Sequence, residues 1–90
     1  MSVIVQFIVK VPDVDKFVAV SKKFQPLMAA EGARNPSVSE DENNPGLMST
    51  MAEWDGHDQM HAASEKHGEA FNAELGAGDL DWATHIWHQK

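Results

Sequence analysis

The sequence contains no cysteine and no tyrosine among its 90 residues. The absence of cysteine excludes disulfide bonds and thiolate metal sites, and it fits a reducing compartment. We predict one domain spanning residues 1–90, because few chains this short hold two cores. Such a domain buries only roughly 60% of the surface that its unfolded chain exposes. With no disulfide available, association with a second copy is the remaining way to bury more apolar surface.

Basic residues and long apolar runs are also scarce. Seven lysines and arginines stand against 14 acidic residues, giving a formal net charge of −7. Proteins that bind nucleic acid normally carry a clustered positive charge, so nucleic acid is not an expected partner. Gln6 and Lys10 interrupt the apolar runs, which fall well short of the ~20 residues of a membrane-spanning helix. The beginning of the sequence also lacks a secretory signal pattern. We therefore expect a cytoplasmic protein that does not bind a membrane.

The segment Val3–Val11 predicts a strand because it is short and rich in β-branched residues. Alternate residues of a strand point to opposite faces of its sheet. One face carries four valines and a phenylalanine, and the other carries Ile4, Gln6, Ile8 and Lys10. Both faces are largely apolar, which predicts burial on both sides of the sheet. Because two helices can cover only one side, we expect a homodimer to cover the other.

Apolar residues then recur at helical spacing from Val14 to Leu27. Pro26 lacks a backbone donor, and we expect it to kink or break this helix near Phe24 and Gln25. Gly32 is the expected C-terminal cap. Two further strands are predicted around a strong turn signal, Asn43-Asn44-Pro45-Gly46. These strands are Ser37–Glu42 and Leu47–Trp54.

A second helix is predicted after the third strand, with Asp55 as its N-cap and Asp58 in its first turn. Gly76-Ala77-Gly78 ends it, and Trp82–His88 forms the last strand. The order βαββαβ predicts an α+β, ferredoxin-like fold with a four-stranded antiparallel sheet. The expected inward side chains of the second helix are Met60, Ala63, His67, Phe71 and Leu75.

Two segments resemble the antibiotic-biosynthesis-monooxygenase-like family. Leu47–Asp55 is similar to a strand of that family that ends in a Glu-aromatic pair, here Glu53 and Trp54. Ser64-Glu65-Lys66-His67, followed by Phe71, is similar to its second-helix pattern of Ser/Thr-x-x-His and a later aromatic residue. The resemblance implies that two ferredoxin-like chains pack sheet against sheet into a dimeric α+β barrel.

Several activities occur in such barrels, including cofactor-free oxygenation of aromatic polyketide-derived molecules, haem degradation, cyclisation and isomerisation. Haem-degrading members use an Asn on the first strand and a Trp and a His on the second helix. This chain has Gln6 on the first strand and no Trp on the second helix, which disfavours haem degradation. Its lack of tyrosine departs from the monooxygenase members, which tend to place tyrosines near the substrate.

His67 is the expected catalytic residue, because its imidazole should point at the sheet, where it can act as a general base or a hydrogen-bond donor. The alternative, a core histidine bonded to a backbone carbonyl, is about equally weighted. Gln6 is the single uncharged polar side chain of the first strand, so it suits either a ligand or a cross-strand hydrogen bond. The other expected substrate-binding residues are Trp54, Met60, Phe71, His85 and Trp87. Packing is the stronger explanation for Trp54.

His57, His61 and Glu65 recur at helical spacing, as metal ligands can. They lie opposite the apolar stripe, so a solvated polar face is the better explanation, and we expect no metal. The favoured function is a cofactor-independent monooxygenase acting on an aromatic or polyketide-like ligand. A cyclase or isomerase that uses His67 as acid–base residue is one alternative. A non-catalytic dimeric protein that binds a small hydrophobic ligand is another.

Overall fold

The computed structural model describes residues 2–90, so Met1 of the predicted domain lies outside the described residues. The predicted order βαββαβ and the α+β fold class are confirmed. None of the helices described within residues 2–90 is both long and apolar enough to span a membrane. The elements are β1 (Val3–Lys10), α1 (Val14–Ala30), β2 (Arg34–Glu40), β3 (Leu47–Trp54), α2 (His57–Leu75) and β4 (Ala83–His88).

The four strands form one antiparallel sheet in the order β2-β3-β1-β4. β1 is therefore central, and it pairs with β3 along its whole length and with β4 along most of it. Gln6 lies opposite Met51 of β3 and His85 of β4, so these three side chains share one face. The predicted adjacency of the first and last strands is confirmed.

The two faces of the sheet have different surroundings. We call the face beneath the helices the covered face; on β1 it carries Val3, Val5, Phe7 and Val9. Its valines are 1–3% exposed and pack with α1 and α2 in two core clusters. We call the opposite side the open face. Its described members include Ile4, Gln6, Ile8, Ser49, Met51, His85 and Trp87, and none of these belongs to either cluster.

Pro26 does not break the first helix, which corrects that part of the prediction, because α1 continues to Ala30 with Pro26 inside it. Pro26 is exposed, and so is Lys22 one turn earlier, whose carbonyl would accept the missing hydrogen bond. Water can satisfy that carbonyl, which lowers the cost of the proline. Glu31 is the C-cap, and Gly32 follows it with φ of 115°. The predicted helix end is therefore displaced by one residue.

Strand β2 begins three residues before the predicted start and ends at Glu40 instead of Glu42. Arg34 pairs with Glu53, and an irregularity in register separates it from Ser37. Pro36 lies in this bulge on an edge strand, where a missing backbone donor is tolerated. Sequence periodicity misses such a start, because the bulge interrupts the alternation of side chains.

Asp55 does not cap α2, which corrects the prediction. Gly56 is the N-cap and makes no side-chain capping bond. The carboxylate of Asp55 instead accepts a 2.7 Å hydrogen bond from Arg34, and its amide donates to Gln59 at 3.2 Å. Arg34 of β2 therefore binds the carboxylate that was expected to cap the helix. Gly76 ends α2 in the left-handed conformation with φ of 62°, as predicted.

Candidate ligand-binding cavity

A cavity of about 250 Å³ lies between the covered face and the two helices. Val5 and Phe7 of β1 contribute to its floor, together with Thr50 and Ala52 of β3. Binding cavities for small molecules commonly measure ~300–1,000 Å³, so this one suits a compact ligand. The cavity was expected between sheet and helices, and the structure has it there.

Aromatic rings form one end of the cavity. Phe24 of α1 and Phe71 of α2 meet edge to face, with ring centroids 5.3 Å apart. Trp82, which precedes β4, contacts Phe71 and Phe7 with centroids 6.2 Å apart in each case. These distances fall in the range that aromatic pairs favour. The rings therefore present an apolar surface complementary to a flat aromatic molecule.

All the polar side chains that line the cavity are uncharged hydroxyls and amides. Gln25, Ser37 and Asn72 are at least partly exposed at its margin. The side chain of Ser21 is different, because the residue is only 7% exposed and its hydroxyl has no hydrogen-bond partner in the described part of the chain. A lining of this kind suits a neutral ligand, since a buried charge would lack a counter-ion.

The prediction that His67 points at the sheet is wrong. Its Nε2 lies 3.4 Å from the Glu31 carboxylate at the end of α1, and its side chain is 17% exposed. The cavity is lined instead by Ser64, Gly68 and Phe71 of the same helix. His67 is about 100° around the helix axis from Gly68, which turns its imidazole toward the neighbouring helix. The position of His67 in the predicted apolar stripe of α2 therefore did not determine where its imidazole ring points.

The Glu31 carboxylate is bound by two side chains of α2. Lys66 donates a 2.8 Å hydrogen bond to the same oxygen that His67 approaches. The hydrogen bond from Lys66, followed by that from His67, holds the pKa of Glu31 below its ordinary value of 4.5. This cluster connects the end of α1 to the middle of α2 and favours the ionised form of Glu31.

Three of the predicted substrate-binding residues belong to the covered side. Trp54 and Phe71 line the cavity. Met60 does not; it is 3% exposed and packs in the core beside Trp54. Its sulfur accepts a hydrogen bond of 3.4 Å from the Ser64 hydroxyl. Met60 therefore supports the wall of the cavity from behind.

Gln6, His85 and Trp87 lie on the open face, so the structure does not bring them together with the cavity. The amide of Gln6 donates to Ser49 at 3.2 Å and accepts from the Trp87 indole at 3.4 Å. The rings of His85 and Trp87 are tilted, with centroids 5.9 Å apart. These bonds agree with the interpretation of Gln6 as a cross-strand hydrogen-bonding residue. A single site containing both His67 and Gln6 is excluded within one chain, because the sheet separates them.

The rings of His57 and His61 meet edge to face with centroids 5.4 Å apart. Both residues are exposed, and His57 approaches the neighbouring Asp58 at 3.4 Å. Within residues 2–90, no group of three histidine, aspartate or glutamate side chains is arranged to hold a metal ion. The absence of a bound metal remains a prediction.

Ser21, Gly68 and Trp82 line the cavity but are not among the site residues that the sequence predicts. Ser21 interrupts the apolar stripe of α1 between Phe17 and Phe24, which is a signal that the sequence carried. Gly68 lies in the interior of α2, where glycine is unfavourable. Trp82 was assigned to the last strand, but β4 begins at Ala83 and leaves this indole against the aromatic end of the cavity.

No family model matches this sequence, and no curated protein is similar to it by sequence. Solved structures do match. A variant of SnoaB, a cofactor-independent oxygenase from Streptomyces nogalater, superposes with a TM-score of 0.80 at 15% identity, covering 99% of this chain and 93% of that chain. The chain has the fold of antibiotic-biosynthesis-monooxygenase-like proteins.

Two further solved structures share this fold. A protein from Bordetella bronchiseptica, provisionally assigned as an antibiotic biosynthesis monooxygenase, matches with a TM-score of 0.84 at 14% identity, covering 99% of this chain and 97% of that one. A conserved protein from Methanosarcina mazei Go1 matches with a TM-score of 0.82 at 18% identity, over 100% and 94% of the two chains. At these identities the likeness concerns the fold, so the activity must be argued from the cavity.

Proposed function

We propose that this chain is a cofactor-independent oxygenase that binds a neutral aromatic or polyketide-like molecule between its sheet and its helices. The observation that carries the proposal is the cavity itself, with Phe24, Phe71 and Trp82 at one end and only uncharged groups in its lining. The fold shared with SnoaB, named as a cofactor-independent oxygenase, supports the choice of reaction.

The reaction can draw its electrons from the substrate. The neutral phenol binds, gives its proton to the acid–base residue and becomes an anion that reacts with oxygen. The protonated base supplies the counter-charge that the cavity lining lacks. One oxygen atom then enters a ring carbon and becomes a carbonyl, while the other leaves as water with the two hydrogens released by the ring and the phenol. The substrate supplies all the electrons, so the balance needs no external reductant. In this reaction the protein excludes water and orients the ring.

Oxygen uptake by the purified protein with a panel of phenols and hydroxynaphthalenes tests this function. We expect uptake and quinone formation in equal amounts for at least one compound, and none with the matching arenes that lack a hydroxyl. Conversion without oxygen uptake would instead support the cyclase or isomerase alternative.

His67 is the acid–base residue that we propose, although the cavity wall beside it is formed by Gly68. To reach a ligand, its imidazole must leave the Glu31 carboxylate. Replacement of His67 by Ala should lower turnover by ~10²–10⁴-fold while the protein stays folded. Replacement of His57 by Ala, on the exposed face of α2, is the control and should change neither property. A large fall in melting temperature with unchanged turnover would make His67 structural.

A non-catalytic binding protein is the second proposal, and the uncharged lining favours it. No acid or base reaches the cavity from the side chains that form it, whereas binding of an apolar ligand needs none. Saturable binding of a phenol without any product or oxygen uptake would establish this alternative over the oxygenase.

We also propose that two copies pair through the open face. Ile4, Ile8 and Met51 are half-buried there, and Trp87 is 53% exposed, so this face presents several large apolar side chains around Gln6. Large exposed apolar patches are uncommon on monomers and mark interaction sites. Sedimentation equilibrium at micromolar concentration tests the pairing, and a stable monomer there would contradict it.

A further inference from the structure

The buried hydroxyl of Ser21 has no structural function that its surroundings explain. Ser21 faces the cavity from α1, is only 7% exposed, and has no hydrogen-bond partner in the described part of the chain. Leaving a buried polar group unpaired is unfavourable, and native proteins avoid it with few exceptions. An alanine at this position would fit the apolar stripe of α1 without that cost. The hydroxyl therefore indicates a partner that enters the cavity.

Gly68 provides a second, independent observation on the facing helix. Glycine in a helix interior is less favourable than alanine, and α2 has ordinary helical geometry there. A Cβ atom built at Gly68 would meet no atom within 4 Å, so close packing does not require the glycine. The residue lines the cavity, where its missing side chain leaves space against the backbone of α2.

The remaining groups of the cavity define the chemistry of its ligand. Phe24, Phe71 and Trp82 present aromatic faces and edges. Ser64 of α2 also lines the cavity, but its hydroxyl already contacts the Met60 sulfur. Thr50 contributes a further hydroxyl from the floor, but it is less buried than Ser21, whose hydroxyl is both buried and unpaired. A hydrogen bond to Ser21 beside the aromatic rings favours a ring system that carries an oxygen substituent.

We infer that Ser21 anchors the oxygen of a compact, uncharged oxygenated arene, such as a phenol or an aryl ketone, whose ring occupies the space left by Gly68. The inference rests on the proposed use of the cavity for an aromatic ligand. It adds to that function a specificity-determining hydroxyl and a residue that sets the size of the ligand. It does not depend on whether the bound arene is oxidised.

Equilibrium dialysis with two probes, α-naphthol and naphthalene, distinguishes the contribution of the ligand's hydroxyl to binding from that of its ring. Replacement of Ser21 by Ala should shift the ratio of the two dissociation constants by roughly 2–10-fold in favour of naphthalene, the size expected for one hydrogen bond. Replacement by Thr, which keeps a hydroxyl, should preserve the parent ratio. Ser39→Ala, which removes an exposed hydroxyl from the edge strand β2, is the control and should not alter it.

The melting temperature of Ser21→Ala distinguishes anchoring from a structural bond. Without ligand, this variant should melt at or above the temperature of the parent, because it removes an unpaired buried group. A lower melting temperature with an unchanged ratio would mean that the hydroxyl is bonded within the protein, and the inference would be wrong. Failure of both probes to bind the parent protein would overturn it as well.

The space at Gly68 has its own test. Gly68→Leu should weaken binding of both probes by at least about tenfold, because the added side chain occupies the ring site. Ala62→Leu, an exposed position on the same helix, should leave both constants unchanged. Unweakened binding by Gly68→Leu would place the ligand elsewhere.

Oxygen uptake is scored separately in the same variants. A shifted ratio in Ser21→Ala with no oxygen uptake by the parent would leave the inference standing and defeat the proposed oxygenase. Oxygen uptake by the parent protein, with an unchanged ratio of dissociation constants in Ser21→Ala, would support the proposed oxygenase and contradict the inference about Ser21.

Discussion

The covered face and the open face of the sheet both carry apolar side chains, but their surroundings differ. On β1, Val5 of the covered face is 2% exposed, whereas Ile4 and Ile8 on the open face remain half-buried. The covered face meets two helices and leaves a cavity among them. The open face instead pairs its polar groups across strands, with Gln6 between Ser49 and Trp87. Composition alone therefore does not identify the face that binds a ligand.

Charge placed on each face of β1 should give the largest contrast. Val5→Asp buries a carboxylate in a core without a counter-ion, so we expect an unfolded chain. Ile8→Asp, three residues along the same strand, should give a folded monomer, because the core on the covered side is complete within one chain. Circular dichroism and sedimentation measure the two outcomes. Unfolding of Ile8→Asp as well would mean that the chain folds only as a dimer.

Leu27→Asp is the control for this pair. Leu27 is 43% exposed on α1, away from both faces of the sheet, and its replacement should change neither folding nor association. Loss of the dimer in Leu27→Asp would move the interface from the open face to α1.

A smaller effect is expected from the glycine that lines the cavity. Gly68→Ala should raise the free energy of unfolding by about 1 kcal/mol, since alanine favours the helix and its methyl group meets open space. For a domain of this size that corresponds to a melting temperature raised by roughly 4–8 °C. A lowered melting temperature would show that the cavity closes around position 68 in solution.

The smallest effect concerns the cluster that joins the helices. Lys66→Met should raise the pKa of Glu31 toward its ordinary value of 4.5, because the hydrogen bond from Lys66 is the main cause of the lowered pKa. The pKa is readable by carbon-detected NMR titration. Lys22→Met, at an exposed position of α1, should leave it unchanged.

The lowered pKa also predicts the direction of the pH dependence. The ionised carboxylate stabilises the fold above the unfolded pKa, and this contribution is lost as the pH falls through the lower folded value. Denaturation of the parent between neutral pH and the acid range below about pH 4.5 should therefore show a steeper loss of stability than denaturation of Lys66→Met. Equal slopes would indicate that the pair contributes nothing to folding.

The sequence by itself determined the elements and their order. Alternation in β1, helical spacing in α2 and the turn before Leu47 are local patterns, and the bounds of β3 followed from them without error. The errors at Pro26, Asp55 and the start of β2 arise where local propensity does not describe the surroundings. Solvent can satisfy the carbonyl that Pro26 leaves without a donor, Arg34 binds the Asp55 carboxylate, and a bulge interrupts the alternation of β2.

Only the tertiary structure decided which residues form the candidate site. Periodicity states that Val5 and Gln6 point to opposite faces, but it does not say which face the helices cover when both are apolar. It also places His67 near the core stripe of α2 without fixing its ring, which turns to Glu31 because the end of α1 supplies a carboxylate there. The pairing of Ser21 with the space at Gly68 depends on how two helices pack over one sheet, and no local pattern encodes that packing.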